Sequence, residues 1–552
     1  MNRMAALSLC FILVSALASL GAQTVPEWQW AERAGGEGYD YGLGIAADNA
    51  GNLYVTGFFR ESAGFGGTIL SSLGDGDVYV SKLDTGGNFR WTRQAGGPGF
   101  DGGRSIVVDA SGSVFLTGDF AGTAQFGDIV LTASGEKDAF VCKLDAGGNF
   151  LWASRARGFD DTMGMSIALD SAGNCYIAGL FSGSATFGST TLVSQGYEDA
   201  FLARLDVDGN FIWARRAGGC DSDMGNDLSV DNAGNCLLTG GFSHSADFGP
   251  FTLTSEGEYS DLFVCKLDAE GNFLWARQAG GEFSVTAGCG IAADAAGNSY
   301  VTGVFQGSAS FGDTTLTSGT GMNNFVCKLD PSGNFGWARQ AGWTSYSLFY
   351  GDIAVDGAGN CCVTGAFQVS ADFGPITLTS NGATDIFACA LDPAGNFLWA
   401  RQAGSSGTDW SCDLSMDAAG NCCVTGMFTG TASFGPTTLA SSGGADIFIA
   451  RLGTEVAVED ETTPPAEGQS RLYAAWPNPS GKNRLINLKA RVAAGETGTL
   501  SIYNLRGELI GRQDLTAGEH QIDLDGRSLP AGMYVYRLRT STVNTVKKLI
   551  IR

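Results

Sequence analysis

Between residues 353 and 403 the chain alternates short apolar runs with polar turns, a pattern typical of an antiparallel β-meander. The apolar runs are IAVD at 353–356, CCVTGAF at 361–367, IFACALD at 386–392 and FLWARQA at 397–403. The first and second runs, and the third and fourth, are joined by turns of the form D-x-x-G-N, in which Asp accepts turn N–H groups and Gly takes the left-handed conformation. The pattern predicts four strands, A to D, with two tight hairpins and one long B–C connection.

The D-x-x-G-N turn recurs along the chain at two places in nearly every repeat. It occupies residues 48–52, 84–88, 145–149, 170–174, 206–210, 231–235, 268–272, 294–298, 330–334, 356–360, 392–396 and 417–421. Its Asp could also be a calcium ligand, but a calcium loop needs several acids at alternate positions and most of these turns offer one. We therefore predict hairpin turns, no metal site and no cofactor, with calcium left open as the alternative.

Two further markers repeat with a period of 61 or 62 residues. One is a tryptophan, at positions 30, 91, 152, 213, 275, 337 and 399, and the other is Phe-Gly, with Phe at 65, 126, 187, 248, 311, 373 and 434. A fixed period indicates one supersecondary unit copied along the chain. A single four-stranded unit cannot bury both faces, so we predict an all-β fold in which residues 28–452 form a seven-bladed β-propeller.

The ends of this array predict how the ring closes. Trp30 stands in a fourth-strand segment that has no strands A to C before it, and the last repeat, 413–452, has no tryptophan strand after it. The N-terminal segment is therefore expected to supply strand D of the last blade. At about 61 residues the repeat exceeds the ~40–45 of common propeller repeats. The excess lies in the B–C connection, where we expect an extra hairpin.

These units resemble a known bacterial repeat. The stretches reading I-A-x-D-x-A-G-N-x-Y-V-T-G and D-x-F-V-x-K-L-D-x-x-G-N-F-L-W-A-R-Q-A-G-G resemble the SBBP type of β-propeller repeat across residues 28–452. The resemblance implies the fold and says almost nothing about activity, because propellers host many functions.

After an acidic, proline-containing linker at 453–471, residues 472–552 are predicted to form a small β-sandwich. This module resembles the C-terminal sorting domain of the type IX (Por) secretion system. The matching residues are Pro477, Asn478, Pro479, Gly507, Gly532, Tyr534, Lys547 and Lys548. The resemblance implies export across the outer membrane, removal of the module by a sortase-like peptidase, and either surface attachment or release. A plain β-sandwich adhesion domain is the alternative.

The N-terminus and the charge agree with an extracellular protein. Residues 1–22 look like a signal peptide, with Arg3 before an apolar stretch at 5–20, and no later segment is a candidate transmembrane helix. The net charge is −24, of which residues 472–552 contribute +6 and the remainder −30. Because phosphate binding needs a basic patch, nucleic acid is not an expected partner.

Few residues suit catalysis or disulfide chemistry. Only His244 and His520 are present, and His244 replaces a glycine of other repeats, which favours a surface substitution. We predict no catalytic residues. Thirteen cysteines remain after signal removal, many at two strand positions per repeat. Because the two positions seldom hold Cys in the same blade, most thiols are expected to be reduced and buried.

The D–A loops carry the best functional signal. They occupy 36–43, 98–103, 158–163, 220–225, 282–287, 343–350 and 406–411, and unlike the D-x-x-G-N turns they differ in every blade. Function on a rigid scaffold usually lies on such loops. The candidate ligand-binding residues are aromatic or acidic: Tyr39, Asp40, Tyr41, Asp101, Asp161, Asp223, Trp343, Tyr346, Tyr350, Asp409 and Trp410.

We therefore expect a secreted or cell-surface binding protein whose ligand is a carbohydrate or a protein. Its other partners would be the type IX machinery and its peptidase. Two alternatives remain: a propeller enzyme such as a lyase or glycosidase using loop carboxylates, or a structural repeat protein without a small ligand. The loops before the sixth and seventh blades, with Trp343 and Trp410, are the expected ligand site.

Overall fold

The computed structural model describes residues 25–257, 259–319, 321–344, 351–454, 470–473, 485–504, 509–525, 529–530, 532–540 and 544–551. In these residues the protein is all-β, with strands and turns and no helix. The chain divides into two compact units, Met1–Thr454 and Glu455–Arg552. The predicted signal peptide and linker segment 455–469 lie outside the described residues.

The first unit is a β-propeller built from four-stranded antiparallel sheets in the order A-B-C-D, and the described residues form seven of them. The A strands are β2 (Tyr41–Ala47), β8 (Asp101–Val108), β14 (Thr162–Leu169), β18 (Met224–Val230), β24 (Val285–Ala293), β30 (Asp352–Val355) and β36 (Trp410–Met416). The B strands are β3 (Leu53–Phe59), β9 (Val114–Phe120), β15 (Cys175–Phe187), β19 (Cys236–Phe242), β25 (Ser299–Gln306), β31 (Cys361–Phe367) and β37 (Cys422–Phe428).

The C strands are β6 (Asp77–Leu83), β12 (Asp138–Leu144), β16 (Thr190–Leu205), β22 (Asp261–Leu267), β28 (Met322–Leu329), β34 (Asp385–Leu391) and β40 (Asp446–Gly453). The D strands are β7 (Phe89–Ala95), β13 (Phe150–Gly158), β17 (Phe211–Gly219), β23 (Phe273–Ala279), β29 (Phe335–Thr344), β35 (Phe397–Ala403) and β1 (Glu27–Gly36). Blades are numbered from the one that begins with β2.

The ring closes with strands from the two ends of the array. Strand β1 pairs antiparallel with β40, from Glu27 opposite Gly453 to Ala34 opposite Ile447. It is thereby strand D of the sheet that begins with β36. Around the axis each A strand contacts the next, and β36 contacts β2. The open edges of the repeat array are thus paired.

The expected extra hairpin is present in each B–C connection. The hairpins are β4 (Ser62–Phe65) with β5 (Thr68–Ser71), β10 (Thr123–Phe126) with β11 (Ile129–Thr132), β20 (Ser245–Phe248) with β21 (Phe251–Thr254), β26 (Ser308–Phe311) with β27 (Thr314–Thr317), β32 (Ser370–Phe373) with β33 (Ile376–Thr379), and β38 (Thr431–Phe434) with β39 (Thr437–Ala440). In blade 3 the same hairpin is formed by the ends of β15 and β16. The Phe of each Phe-Gly pair is buried, and β4 pairs with β1 of the preceding blade.

The tryptophan period marks a contact between neighbouring blades. The Trp152 indole N–H donates to the carbonyl of Val207 in the next blade's C–D turn at 3.2 Å. A Cβ on Gly209 would lie 2.7 Å from the Trp152 ring, so the turn must have glycine there. Equivalent indole bonds join Trp30, Trp91, Trp213, Trp275 and Trp337 to the following blade. The tryptophan recurs every 61 or 62 residues because each blade except the sixth uses it to contact the next blade.

The D-x-x-G-N segments are hairpin turns, as predicted. In 206–210, the Asp206 carboxylate accepts the backbone N–H groups of Asp208 and Asn210 at 3.0 and 2.9 Å. It also accepts the Asn210 side-chain amide, and Gly209 has φ +83°. Because these bonds favour the ionised form, they lower the pKa of Asp206. The carboxylate is used by its own turn.

Most cysteines are free thiols in strands, but one pair is bonded. Cys362 of blade 6 and Cys422 of blade 7 form a disulfide, and eleven other cysteines of the described residues are free. The co-occurrence of cysteines within a repeat bears only on pairs inside one blade. This bond joins the B strands of two adjacent blades, so that co-occurrence does not predict it.

The second unit contains two sheets around one apolar core. One sheet has β41 (Arg471–Leu472), β42 (Leu485–Val492) and β45 (Gly518–Asp525), and the other has β43 (Gly498–Asn504), β44 (Leu509–Leu515), β46 (Gly532–Arg539) and β47 (Asn544–Ile551). Tyr534 and Lys548 lie on the paired strands β46 and β47, with Gly532 opposite Ile551 and Lys547 opposite Tyr536. Pro477, Asn478, Pro479 and Gly507 fall outside the described residues.

Candidate binding face and central cavity

Two kinds of connection share one edge of the ring, which we call the variable rim: the D–A loops and the B–C connections. Backbone bridges join four of the D–A loops to the B–C connection of the blade before them, for example Gly76 to Phe100 and Glu198 to Ser222. The opposite edge carries the uniform A–B and C–D turns. The variable rim is therefore one continuous surface of mixed sequence on a regular scaffold.

Four of the predicted ligand acids are buried inside their loops. Asp40, Asp101, Asp223 and Asp409 have no solvent-exposed surface. Asp101 accepts the backbone N–H groups of Gly97 at 2.7 Å and Ala121 at 3.2 Å, and the other three make the equivalent bonds. Burial is the largest cause that raises their pKa, to about 7 for Asp101 and Asp223 and about 6 for Asp40 and Asp409. These acids accept backbone N–H groups that hold their loops closed.

The equivalent position in the third loop is a threonine, and its neighbour Asp161 is half-buried. Asp161 shares a backbone bridge with Lys137. Near the fourth loop, His244 has φ +55° at a position usually held by glycine, and its Nδ1 lies 2.9 Å from Asp221 Oδ2. His244 is exposed, as the sequence predicted for a surface substitution.

Exposed aromatic side chains concentrate on the variable rim. Among the described residues the aromatic rings with large exposure are Tyr39, Phe159, Tyr197, Tyr259 and Phe283. Tyr39, Phe159 and Phe283 belong to D–A loops, whereas Tyr197 and Tyr259 belong to the B–C connections of blades 3 and 4. Phe283 is 77% exposed, which costs free energy in water unless a ligand covers the ring.

The other predicted aromatics are less accessible or lie outside the described residues. Tyr41 is half-buried and stacks on Phe58, with ring centroids 5.0 Å apart. Trp410 is half-buried at the start of β36. Trp343 is in β29, where its backbone pairs with Asn323, while Tyr346 and Tyr350 are outside the described residues.

A cavity of about 340 Å³ lies at the centre of the ring, where the A strands begin. In six A strands the register shifts by one residue, and each shifted residue lines the cavity: Leu43, Arg104, Met165, Asn226, Cys289 and Cys412. Bulges commonly re-aim side chains in this way. The wall also includes the carboxyl groups of Asp227, Asp352 and Asp413.

The cavity carboxyls join neighbouring blades. Asp227 accepts the Ile291 N–H at 2.7 Å, and Asp413 accepts the Ile45 N–H at 2.6 Å. Burial raises the pKa of Asp227 to about 8 and that of Asp413 to about 6. Burial and the adjacent Asp413 raise the pKa of Asp352 well above its usual range. These groups therefore carry less charge near neutrality than their number suggests.

Sequence reasoning missed this cavity, although a signal was present. The shifted residues recur at nearly the same period as the tryptophans, yet their side chains vary from Leu to Arg to Cys. A variable position that recurs inside an otherwise regular strand was the signal for these cavity-lining residues.

Two family models match the chain. A secretion system C-terminal sorting domain matches residues 474–552, and a beta-propeller repeat, SBBP, matches residues 29–57. The chain contains an SBBP β-propeller repeat and a type IX C-terminal sorting domain. The sorting domain directs it through the type IX system to the cell surface or outside the cell. In the described part of the chain, no helix is long and apolar enough to cross a membrane.

Similar curated proteins are distant and much longer. An uncharacterized WD repeat-containing protein of Acanthamoeba polyphaga mimivirus is 22% identical, over 72% of this chain and 36% of that protein. The regulatory protein FlaEY of Caulobacter vibrioides is 27% identical, over 29% of this chain and 18% of that protein. The chain thus spans about a third or less of the relatives it matches.

Solved structures give only loose similarity. A fungal alcohol oxidase of the AA5 family in complex with copper is 13% identical, with a TM-score of 0.39, covering 96% of this chain and 99% of that chain. PorZ, a surface component of the type IX secretion system of Porphyromonas gingivalis, is 11% identical, with a TM-score of 0.26, covering 93% and 81%. At these scores the similarity does not bear on function.

Proposed function

We propose that this type IX exported propeller is a carbohydrate-binding protein whose ligand lies on the variable rim. The observation that carries the proposal is that the exposed aromatic rings of the described propeller all lie on this rim. An exposed ring can stack on the apolar face of a sugar, and a neighbouring carboxylate can accept its hydroxyl hydrogens. An exposed acid adjoins two of these rings in sequence: Asp160 follows Phe159, and Glu282 precedes Phe283.

Tyr259 and Phe283 offer the best-defined pair of rings. Their loops are bonded to each other, since the Ser260 carbonyl accepts the Thr286 N–H at 2.8 Å. Two rings on mutually fixed loops can engage adjacent units of one sugar chain with little loss of loop entropy. This places the proposed site on blades 4 and 5, whereas the sequence pattern favoured the loops that contain Trp343 and Trp410.

The loop acids favour binding over hydrolysis on this rim. A glycosidase needs two carboxyl groups that reach the scissile bond. Asp40, Asp101, Asp223 and Asp409 are instead buried and accept backbone N–H groups. They support a scaffold role, which leaves the aromatic surface as the recognition element.

A glycan array with the secreted protein tests the proposal, followed by titration of the best ligand. Tyr259→Ala and Phe283→Ala should each weaken binding by about 1–3 kcal/mol with the fold retained. Leu274→Ala is the matched control, because Leu274 is an exposed apolar residue of β23 beside the C–D turn, on the opposite edge of blade 4. The carbohydrate site is refuted if both rim variants bind the glycan as tightly as the parent protein. It is also refuted if no glycan on the array binds and a protein is captured through the same two rings.

A further inference from the structure

Four D–A loops are flanked by pairs of buried carboxyl groups, and the Ser380 hydroxyl already donates to Oδ1 of Asp385 in the pair that Asp385 forms with Asp409. The other three pairs are Asp77 with Asp101, Asp199 with Asp223, and Asp446 with Asp40. In each of these pairs one acid lies in strand C, as the first residue of β6 or β40 or at the equivalent position of β16, and the other closes the D–A loop that follows that blade. All six side chains lack solvent exposure. Each pair thus places two acids in an environment that disfavours charge.

The two acids of a pair face the same glycine. A Cβ added to Gly96 would lie 2.7 Å from Asp77 Oδ1 and 2.9 Å from Asp101 Oδ2. At Gly218 the corresponding distances, to Asp199 Oδ1 and Asp223 Oδ2, are 2.8 and 2.9 Å. The third pair repeats this arrangement at Gly35. The glycine lets the two carboxyl groups approach each other without a side chain between them.

One oxygen in each pair has no donor. Asp77 Oδ2 accepts the Leu73 N–H at 2.8 Å and a Gln94 amide hydrogen, but Asp77 Oδ1 has no hydrogen-bond partner. The same holds for Oδ1 of Asp199 and of Asp446. A buried acceptor without a donor is costly, and so is a second carboxylate beside it. Protonation of one carboxyl group of the pair removes the second charge.

The cations around the pairs do not supply this donor. Arg216 contacts Asp199 Oδ2, and Arg33 contacts Asp446 Oδ2, in each case the oxygen opposite the unpartnered one. Near Asp101, the cations Arg104 and Lys137 contact Asp119. Two further titratable groups lie near the pairs. Asp221, which His244 contacts, is near Asp223, and Tyr79 is near Asp40.

We propose that each pair holds one proton that keeps its D–A loop closed, and that the loops open as the pH rises toward neutrality. The proposal rests on the proposed function in one respect, since these loops belong to the variable rim that carries the proposed ligand site. It makes the shape of that face depend on the acidity of the surroundings.

The sign follows from the raised pKa of the loop acids. The closed loop binds a proton more tightly than the open loop, where an aspartic acid titrates near 3.9. Closure is therefore strongest below that value and is lost as the pH rises to the closed-state pKa, about 7 for Asp101 and Asp223 and about 6 for Asp40. Within this window the open fraction increases by up to about tenfold per pH unit.

The chain contains its own control loop. In the third loop Thr162 stands where Asp101 closes the second, and Asp138 Oδ1 accepts the Gly158 N–H at 2.9 Å. At the position of the Asp77–Asp101 pair this loop has one buried carboxyl group, and both oxygens of Asp138 have donors. Its other acids, Asp160 and Asp161, lie elsewhere in the loop. Its closure should not depend on pH in the same range.

Hydrogen exchange of the full-length protein between pH 4.5 and 8, corrected for intrinsic rates, tests the proposal. Protection of the Gly97 and Gly219 amides should fall by at least tenfold from pH 5 to 7, and protection of the Gly158 amide should not. Equal pH dependence in all three loops, or none in the first two, would overturn the proposal.

Two variants copy residues that the chain already uses. Asp77→Asn imitates Asn323, the second residue of strand C of blade 5, and places an N–H donor where the oxygen lacks one. Asp101→Thr imitates Thr162. Both should make the 97–101 loop insensitive to pH while the 219–223 loop keeps its response. If the 97–101 loop of Asp77→Asn keeps its pH response, the proposal that the pair holds a proton is refuted. No ligand enters this measurement, so its failure and a failure of the glycan proposal are separate results.

Discussion

Removing the Trp28 side chain tests how the ring is closed. Trp28 is 3% exposed in β1 and packs edge-on against Phe434, with ring centroids 5.5 Å apart. Its indole N–H donates to the Gln402 carbonyl of blade 6 at 2.9 Å. The residue therefore ties the first strand of the propeller both to its own sheet and to the preceding blade.

Trp28→Ala should lower the free energy of unfolding by about 4 kcal/mol. A buried aromatic truncated to alanine costs about 3–5 kcal/mol, and the lost hydrogen bond adds to the upper part of that range. Urea denaturation of the secreted protein measures the change. Because β1 is joined to its blade by hydrogen bonds and not by a hairpin, residues 27–36 should also exchange their amide hydrogens faster.

Trp213→Ala is the control for closure. Trp213 is also almost buried, at 7%, but β17 is joined by a C–D hairpin to its own blade. The Trp213→Ala variant should lose a comparable free energy of unfolding, but the amide hydrogens of β17 should not exchange faster than those of the other strands. The reasoning is refuted if Trp28→Ala costs less than about 1 kcal/mol, or if residues 27–36 exchange as in the parent protein.

Four further outcomes are expected. Thiol counting under denaturing, non-reducing conditions should find eleven free thiols in the mature chain, because Cys362 and Cys422 are bonded; one thiol or fewer would indicate a disulfide framework. Asp206→Ala should cost about 1 kcal/mol through its turn bonds, and added calcium should leave the thermal midpoint unchanged; a calcium-dependent increase would contradict the hairpin role. Because the pKa of Asp227 is raised, its contribution to stability is present at acid pH and is lost as the pH rises through about 8, so Asp227→Asn should flatten the stability profile between about pH 4 and 8. Intact-mass measurement of the surface form should show cleavage between about residues 454 and 475; a mature protein that retains Arg552 would contradict cleavage.

The elements could be predicted from the sequence because their signals are local and repeated. An Asp, a Gly and an Asn within five residues define each hairpin turn, and alternation defines each strand. The role of the tryptophans could not be predicted, because their acceptors lie about 55 residues away in another blade, as for Trp152 and Val207. The sequence period predicts the repeated four-stranded unit and the number of its copies. It does not predict which side chains contact the neighbouring blade.

The candidate site illustrates the same difference. Acids in variable loops were interpreted as ligand groups because sequence variety usually marks function. Yet Asp40, Asp101, Asp223 and Asp409 each follow by four residues the backbone N–H that they accept. That constant spacing was visible in the sequence and indicates a closed loop, the same kind of local bond that Asp makes in the D-x-x-G-N turns. Exposure, by contrast, cannot be predicted from residue type: Tyr259 and Phe283 remain in solvent, while Tyr41 stacks on Phe58.

These two observations together explain why the variable rim can change its sequence while the ring does not. The loop acids bond to backbone N–H groups, and a backbone donor is present whatever the neighbouring side chain is. Residues between the acid and its donor, such as 37–39 or 98–100, are therefore free to vary without loss of the loop's closing bonds. A face built in this way keeps its frame through backbone bonds and leaves its recognition chemistry to the exposed side chains, which is the division of labour that a binding surface on a repeat scaffold requires.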